Sequence, residues 1–117
     1  MLALPGGAYI YQGDELGLPE VEDLPVDVLE DPIWERSGHT DRGRDGCRVP
    51  IPWSGQAEPF GFSPDDAYAG PWLPQPADWG RRSVEAQTGD EFSMLELYRT
   101  ALRLRRDSQR LVASPAR

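Results

Sequence analysis

The sequence predicts an α/β chain, a piece of a larger fold of repeated βα units, built in the order strand, very long loop, helix. Three observations point there. A short apolar, aromatic run, Ala8 to Tyr11, lies between glycines, as suits a strand buried on both faces. A clear amphipathic helix stands near the end of the chain. Between them, residues 14–92 carry no long periodic segment but many prolines and all the tryptophans. One strand and one helix cannot enclose a core, so the chain is expected to need partners from further βα units.

The first element, Leu2 to Tyr11, reads LALPGGAYIY. Pro5, Gly6 and Gly7 break it, and Ala8 to Tyr11 form the expected strand, in a region taken as 1–13. Gln12, Gly13, Asp14 and Glu15 follow at its end, where α/β folds carry their chemistry. Gly13 permits a sharp turn. Asp14 and Glu15 also suit the start of a helix, which an acidic pair favours.

The long loop is assigned to 14–92. Val21 to Glu30 is acidic and has room for a turn or two of helix. Trp34, Trp53, Trp72 and Trp79, with Phe60 and Phe62, suggest an ordered loop pinned by aromatic anchors, because a structureless loop of this length is improbable. Within it, ERSGHTDRGRDGCRVPIPW (Glu35 to Trp53) alternates Arg36, Asp41, Arg42, Arg44, Asp45 and Arg48. Planar guanidinium groups match carboxylate forks, so such a segment can be held rigid by its own charges. The alternative is a solvated loop of mixed charge.

The helix is assigned to 93–108, with a tail at 109–117. Ser93 and Glu96 form a capping-box pattern. Met94, Leu97, Ala101 and Leu104 recur at helical spacing, flanked by Leu95, Tyr98 and Leu102, and predict a stripe facing a core. Arg103, Arg105, Arg106 and Arg110 crowd the end, where cations complement the helix dipole.

Composition narrows the function. Only 38% of the 117 residues are hydrophobic, with 12 Gly and 12 Pro, a weak basis for a self-sufficient core. The formal net charge of −8 disfavours nucleic acid as a partner. All 12 basic residues are arginine, which reads as a compositional bias. The single Cys47 and single His39 give no metal cluster and no disulfide, so no cofactor is expected. No run is apolar enough to span a membrane and no secretory signal is evident, so a cytoplasmic protein is expected.

LPGGAYIYQGDELGLPE (Leu4 to Glu20), DPIWERSGHTDRGRDGCRVPIPW (Asp31 to Trp53) and SMLELYRTALRLRR (Ser93 to Arg106) together resemble the end of the catalytic barrel of glycoside hydrolase family 13, the α-amylase family. Within it the chain is similar to the α-glucosidase and oligo-1,6-glucosidase branch. The resemblance implies the last strand, long βα loop and last helix of a (β/α)8 barrel. It implies part of a retaining α-glucosidase acting on short α-linked oligosaccharides. Retention needs two carboxylates about 5–5.5 Å apart. The family takes them from earlier strands, so no catalytic residue is expected on this chain, and Asp14, Glu15, Asp41 and Asp45 are not substitutes. What the resemblance does place here is Arg48, in CRVPIPW, as a substrate-binding arginine for the terminal glucose, with Arg44 and Asp45 bracing the loop. Pairing of Arg48 with Asp45 or Asp41 purely to hold the loop stays open. So do a trehalose- or isomaltulose-forming enzyme of the same superfamily and a non-catalytic Pro/Trp-rich interaction segment. The implied partners are an α-glucoside substrate and the remainder of the barrel.

Overall fold

A computed structural model describes every residue except 1, 5, 65, 68 and 114–117, with side chains as far as residue 108. Pro5 and residues 114–117 of the expected tail therefore lie outside the described residues. The chain is elongated, 63 × 36 × 24 Å, with a radius of gyration of 18.4 Å. A compact domain of this length would have about 13–14 Å. Its regular elements are 3₁₀ turns at Asp14–Leu16, Val26–Val28, Asp45–Cys47 and Ala77–Arg82, and helices α1 (Pro32–Arg36), α2 (Val84–Gln87) and α3 (Met94–Ala113).

No β-strand occurs among the described residues, which corrects the strand expected at Ala8 to Tyr11. Backbone N–H and C=O groups need a ladder partner to make a strand, and no other described segment supplies one. Tyr9 is 88% exposed instead. The carbonyl of Tyr11 accepts the Asp14 N–H at 3.1 Å, and its own N–H donates to Asp14 Oδ2 at 3.2 Å. A turn replaces the end of the strand. Gly13 holds it with φ 95°, a conformation that glycine adopts without strain.

The core lies inside the segment expected to be loop. Leu24, Val49, Phe60, Leu73 and Trp79 form one buried cluster, with Leu18, Val21, Val28 and Leu29 packed against it. A long connection packed by its own side chains behaves as an ordered unit. Phe60 is a true anchor, fully buried, and its carbonyl accepts the N–H groups of Trp53 and Ser54 at 2.7 and 2.9 Å. Trp79 joins the core, whereas Trp72 leaves its ring exposed and pins only its indole N–H, on the Val28 carbonyl at 3.1 Å. Phe62 and Trp53 stay exposed. In the acidic piece, one 3₁₀ turn forms, at Val26–Val28.

Helix α3 begins where the cap predicts. Ser93 Oγ accepts the Glu96 N–H at 3.2 Å. The reciprocal half of the box is redirected, since Glu96 Oε1 accepts the Gly89 N–H at 3.1 Å. The helix extends past the expected 108 to Ala113. Its apolar stripe does not face a core in this chain: Leu97 is 59% and Leu104 61% exposed. The first turns of α3 pack against the Asp14–Leu16 turn and α2, and among the described residues of α3 Leu95 is the one that is buried. At the other end Arg105 donates to the carbonyls of Leu2, Leu4 and Gly6, tying the start of the chain to the helix.

Two glutamine side chains join distant pieces. Gln87, buried, donates from Nε2 to the carbonyls of Leu16 and Arg82, each at 2.9 Å, and accepts the Leu95 N–H at 3.1 Å. Gln75, also buried, donates to the Pro50 carbonyl at 2.9 Å.

Candidate functional site

The charged loop is built on Asp31. It precedes Pro32, and proline fits the first position of a helix because its missing N–H has no intrahelical partner there. Asp31 caps α1, its Oδ1 accepting the Ile33 N–H at 3.1 Å. Its Oδ2 accepts the Arg44 N–H and meets Arg48 Nη1, both at 3.1 Å. The chain can come this close because residue 43 is glycine, at φ 68°. A Cβ there would sit 2.5 Å from the Asp31 side chain.

Asp45 is the second support. It is only 3% exposed. Its Oδ2 accepts the N–H groups of Glu30 and Asp31 at 2.7 and 2.8 Å, and its Oδ1 accepts from Arg48 Nη1 at 2.9 Å. Arg48 N–H closes the 3₁₀ turn on the Asp45 carbonyl at 2.9 Å. Gly46 then brings the turn against residue 21, its carbonyl accepting the Val21 N–H at 3.1 Å. A Cβ on Gly46 would lie 2.4 Å from the Val21 carbonyl oxygen.

Electrostatics follow this wiring. Burial pushes the Asp45 carboxyl up, but the N–H groups of Asp31 and Glu30 and the Arg48 guanidinium outweigh it and hold the pKa below the ordinary 3.8. The N–H groups of Ile33 and Arg44, with Arg48 behind them, hold Asp31 below the same value. Arg48 is raised above its ordinary value, chiefly by the bond to Asp45. Cys47 is pushed up by burial and by the neighbouring Glu20.

Arg48 uses one nitrogen, Nη1, for both carboxylates. Among the described residues Nε and Nη2 make no hydrogen bond, and the side chain is 40% exposed. The result is a fork of donors held from behind by two carboxylates. Downstream, Pro50 is held by Gln75, while Pro52 and Trp53 accept the N–H groups of Val84 and Glu85 at 3.1 and 2.9 Å.

Of the residues singled out in the sequence, Arg48 and Asp45 meet directly, and Arg44 reaches the same cluster through its backbone N–H, which donates to Asp31. The Arg44 side chain itself is exposed. Asp41 turns away and accepts the Gly43 N–H at 2.9 Å. Asp14 and Glu15 cap their own turn, Glu15 Oε2 accepting the Gly13 N–H at 2.9 Å. Sequence reasoning missed Asp31; the signal available was an aspartate just before a proline, a helix-start pair. A cavity of about 560 Å³ lies beside the loop, lined among others by Glu20, Glu22, Thr40, Asp41 and Arg42, and Arg48 is not part of its wall.

Comparison with known proteins adds the family. The description alpha-amylase, catalytic domain, matches residues 1–114. The chain is 40% identical over 106 residues to "Probable alpha-glucosidase" of Rhizobium meliloti, covering 91% of this chain and 18% of that protein. It is 32% identical over 120 residues to "Probable oligo-1,6-glucosidase 3" of Bacillus subtilis, covering 87% of this chain and 20% of that one. It is also 32% identical over 109 residues to "Trehalose synthase/amylase TreS" of Mycobacterium tuberculosis, covering 91% and 15%. The chain thus spans a fifth or less of the length of these relatives.

Proposed function

Because the chain belongs to the alpha-amylase catalytic-domain family, we propose that it is part of a retaining α-glucosidase that removes terminal α-linked glucose from short oligosaccharides. In this reading the chain supplies the last βα unit of the (β/α)8 barrel. Its long loop, 14–92, binds substrate, and the catalytic carboxylates come from elsewhere in the protein. The observation that carries the reading is the Arg48 fork. Two carboxylates fix one end of the guanidinium, at 2.9 and 3.1 Å, and leave Nη2 and Nε to meet a pair of sugar hydroxyls. A donor fork that is already oriented loses little freedom when it binds. Asp14, Glu15, Asp41 and Asp45 are each engaged locally, accepting a backbone N–H. That supports giving none of them the nucleophile or acid/base role.

The TreS relative favours one second reading, a trehalose-forming enzyme that transfers or isomerises glucosyl units. Product analysis separates the two. The protein expressed from its full reading frame is incubated with maltose and with an aryl α-glucoside. Release of α-glucose, the retained anomer, supports the glucosidase; accumulation of trehalose supports the alternative. The same assay on the 117 residues alone is expected to give no turnover. Robust turnover by that chain, lost on changing Asp14 or Asp45, would overturn the assignment of catalysis to other parts of the protein.

A further inference from the structure

The turn that presents Arg48 is secured on two sides. Upstream, Asp45 holds both the backbone and the guanidinium of Arg48, at 2.9 Å in each case. Downstream, Val49 is buried in the core and the Pro50 carbonyl is held by a single side-chain donor, Nε2 of Gln75, at 2.9 Å across 25 residues of sequence. Gln75 is itself fixed. It lies between Pro74 and Pro76, whose rings restrict the backbone. Its N–H donates to Glu58 Oε1 at 2.5 Å, and the residue is only 5% exposed.

The amide carries an anomaly. Gln75 Oε1 is buried and has no hydrogen-bond partner among the described residues. A buried acceptor without a partner is costly, so each such group needs a reason. Packing is not the reason, because Met or Leu would fill similar space without the orphan oxygen. The half of the amide that has a partner is the donor, and its target lies two residues beyond Arg48.

We propose that Gln75 is a positioning residue, whose side-chain amide fixes the Arg48–Pro50 segment and with it the direction of the Arg48 guanidinium. The proposal rests on the reading that Arg48 meets substrate and adds to it the group that sets the angle of the fork. Asp45 and Asp31 fix where Nη1 sits; the Pro50 tether limits rotation of the chain that bears it. Without the tether the fork keeps its charge and its carboxylate partners but loses its fixed direction. Substrate binding then weakens more than turnover does.

The test uses the protein expressed from its full reading frame and two variants, Gln75→Met and Gln75→Glu, each also made with Arg48→Ala. Met keeps the volume and donates nothing. Glu keeps the shape and sets a carboxylate oxygen against the Pro50 carbonyl. Two readouts are taken, the Nε–H NMR resonance of Arg48 and the KM and kcat for an aryl α-glucoside. The resonance is expected to move in both variants, with KM raised about 3- to 10-fold and kcat changed less. With Arg48→Ala present, the Gln75 changes are expected to add nothing to KM, since coupled residues are not additive. An unmoved resonance, an equal rise in KM in both backgrounds, or loss of the folded state in both variants overturns the proposal. If Arg48→Ala alone leaves kcat/KM unchanged, the substrate reading of Arg48 fails, and the resonance by itself then decides whether Gln75 positions Arg48.

Discussion

Asp45 holds Arg48 with one carboxylate oxygen, 2.9 Å from Nη1, while its other oxygen accepts the N–H groups of Glu30 and Asp31. One buried side chain therefore closes two loops at once, a short one forward to the arginine and a long one back to the start of α1.

Arg48→Ala is expected to lower kcat/KM of the full enzyme by about 10- to 1000-fold, because hydrogen bonds from a charged group are among the stronger ones. Arg48→Lys is expected to be poor as well, since a point charge does not reproduce a planar fork. Steady-state kinetics and a thermal melt are measured on both. A large fall in Tm with near-normal kinetics would make Arg48 a loop brace and not a substrate contact.

The loop is expected to loosen in acid. The folded pKa values of Asp31 and Asp45 lie below 3.8, so both carboxylates favour the folded loop when ionised. Their contribution is complete above about pH 5 and is lost as pH falls through the lowered folded values. Tryptophan fluorescence, followed from about pH 6 to about pH 2, should report it. Asp45→Asn should flatten the acid limb; an unchanged limb would count against a role for Asp45 in holding the loop.

Ser93→Ala is expected to destabilise the protein by about 1 kcal/mol, through the lost cap on the Glu96 N–H. Ser93 Oγ also donates to the Gln87 carbonyl at 2.9 Å, so the same change loosens the junction between α2 and α3. Denaturant unfolding checks the figure, and Ser93→Thr should recover most of it.

Along α3 the two leucines at 95 and 97 separate two arrangements. If the helix packs as described, Leu95→Ala costs about 2–5 kcal/mol by loss of burial and the cavity left behind. Leu97→Ala then stays within about 0.5 kcal/mol, as exposed changes do. Comparable losses at both positions would mean that the stripe of α3 is covered by other parts of the protein.

Local signals survived the passage from sequence to structure. The Ser93 cap depends on the four consecutive residues Ser93 to Glu96 and reads directly, and the spacing of three between Asp45 and Arg48 brings their side chains together. Signals that depend on a neighbour did not survive. Ala8 to Tyr11 has the composition of a buried strand, but a strand is made by its ladder partner, and within this chain Tyr9 faces outward. The stripe of α3 reads correctly as helix, and within this chain Leu97 and Leu104 stay exposed because a face needs a neighbour to cover it. Asp31, Gln75 and Gln87 left little trace in the pattern. Each is a polar residue that also bonds a partner at least eight residues away, and periodicity contains no such information.

The bond from Gln87 to the Leu16 carbonyl spans 71 residues. A ribosome adds roughly 5–20 residues per second, so the Leu16 end exists for about 4–14 seconds before its partner has been made. During that interval the turn at Asp14–Leu16 has neither Gln87 nor the first turns of α3 to rest on. The start of this chain is thus completed by its end, and a nascent chain halted before Gln87 would carry that turn unanchored, open to chaperones and proteases.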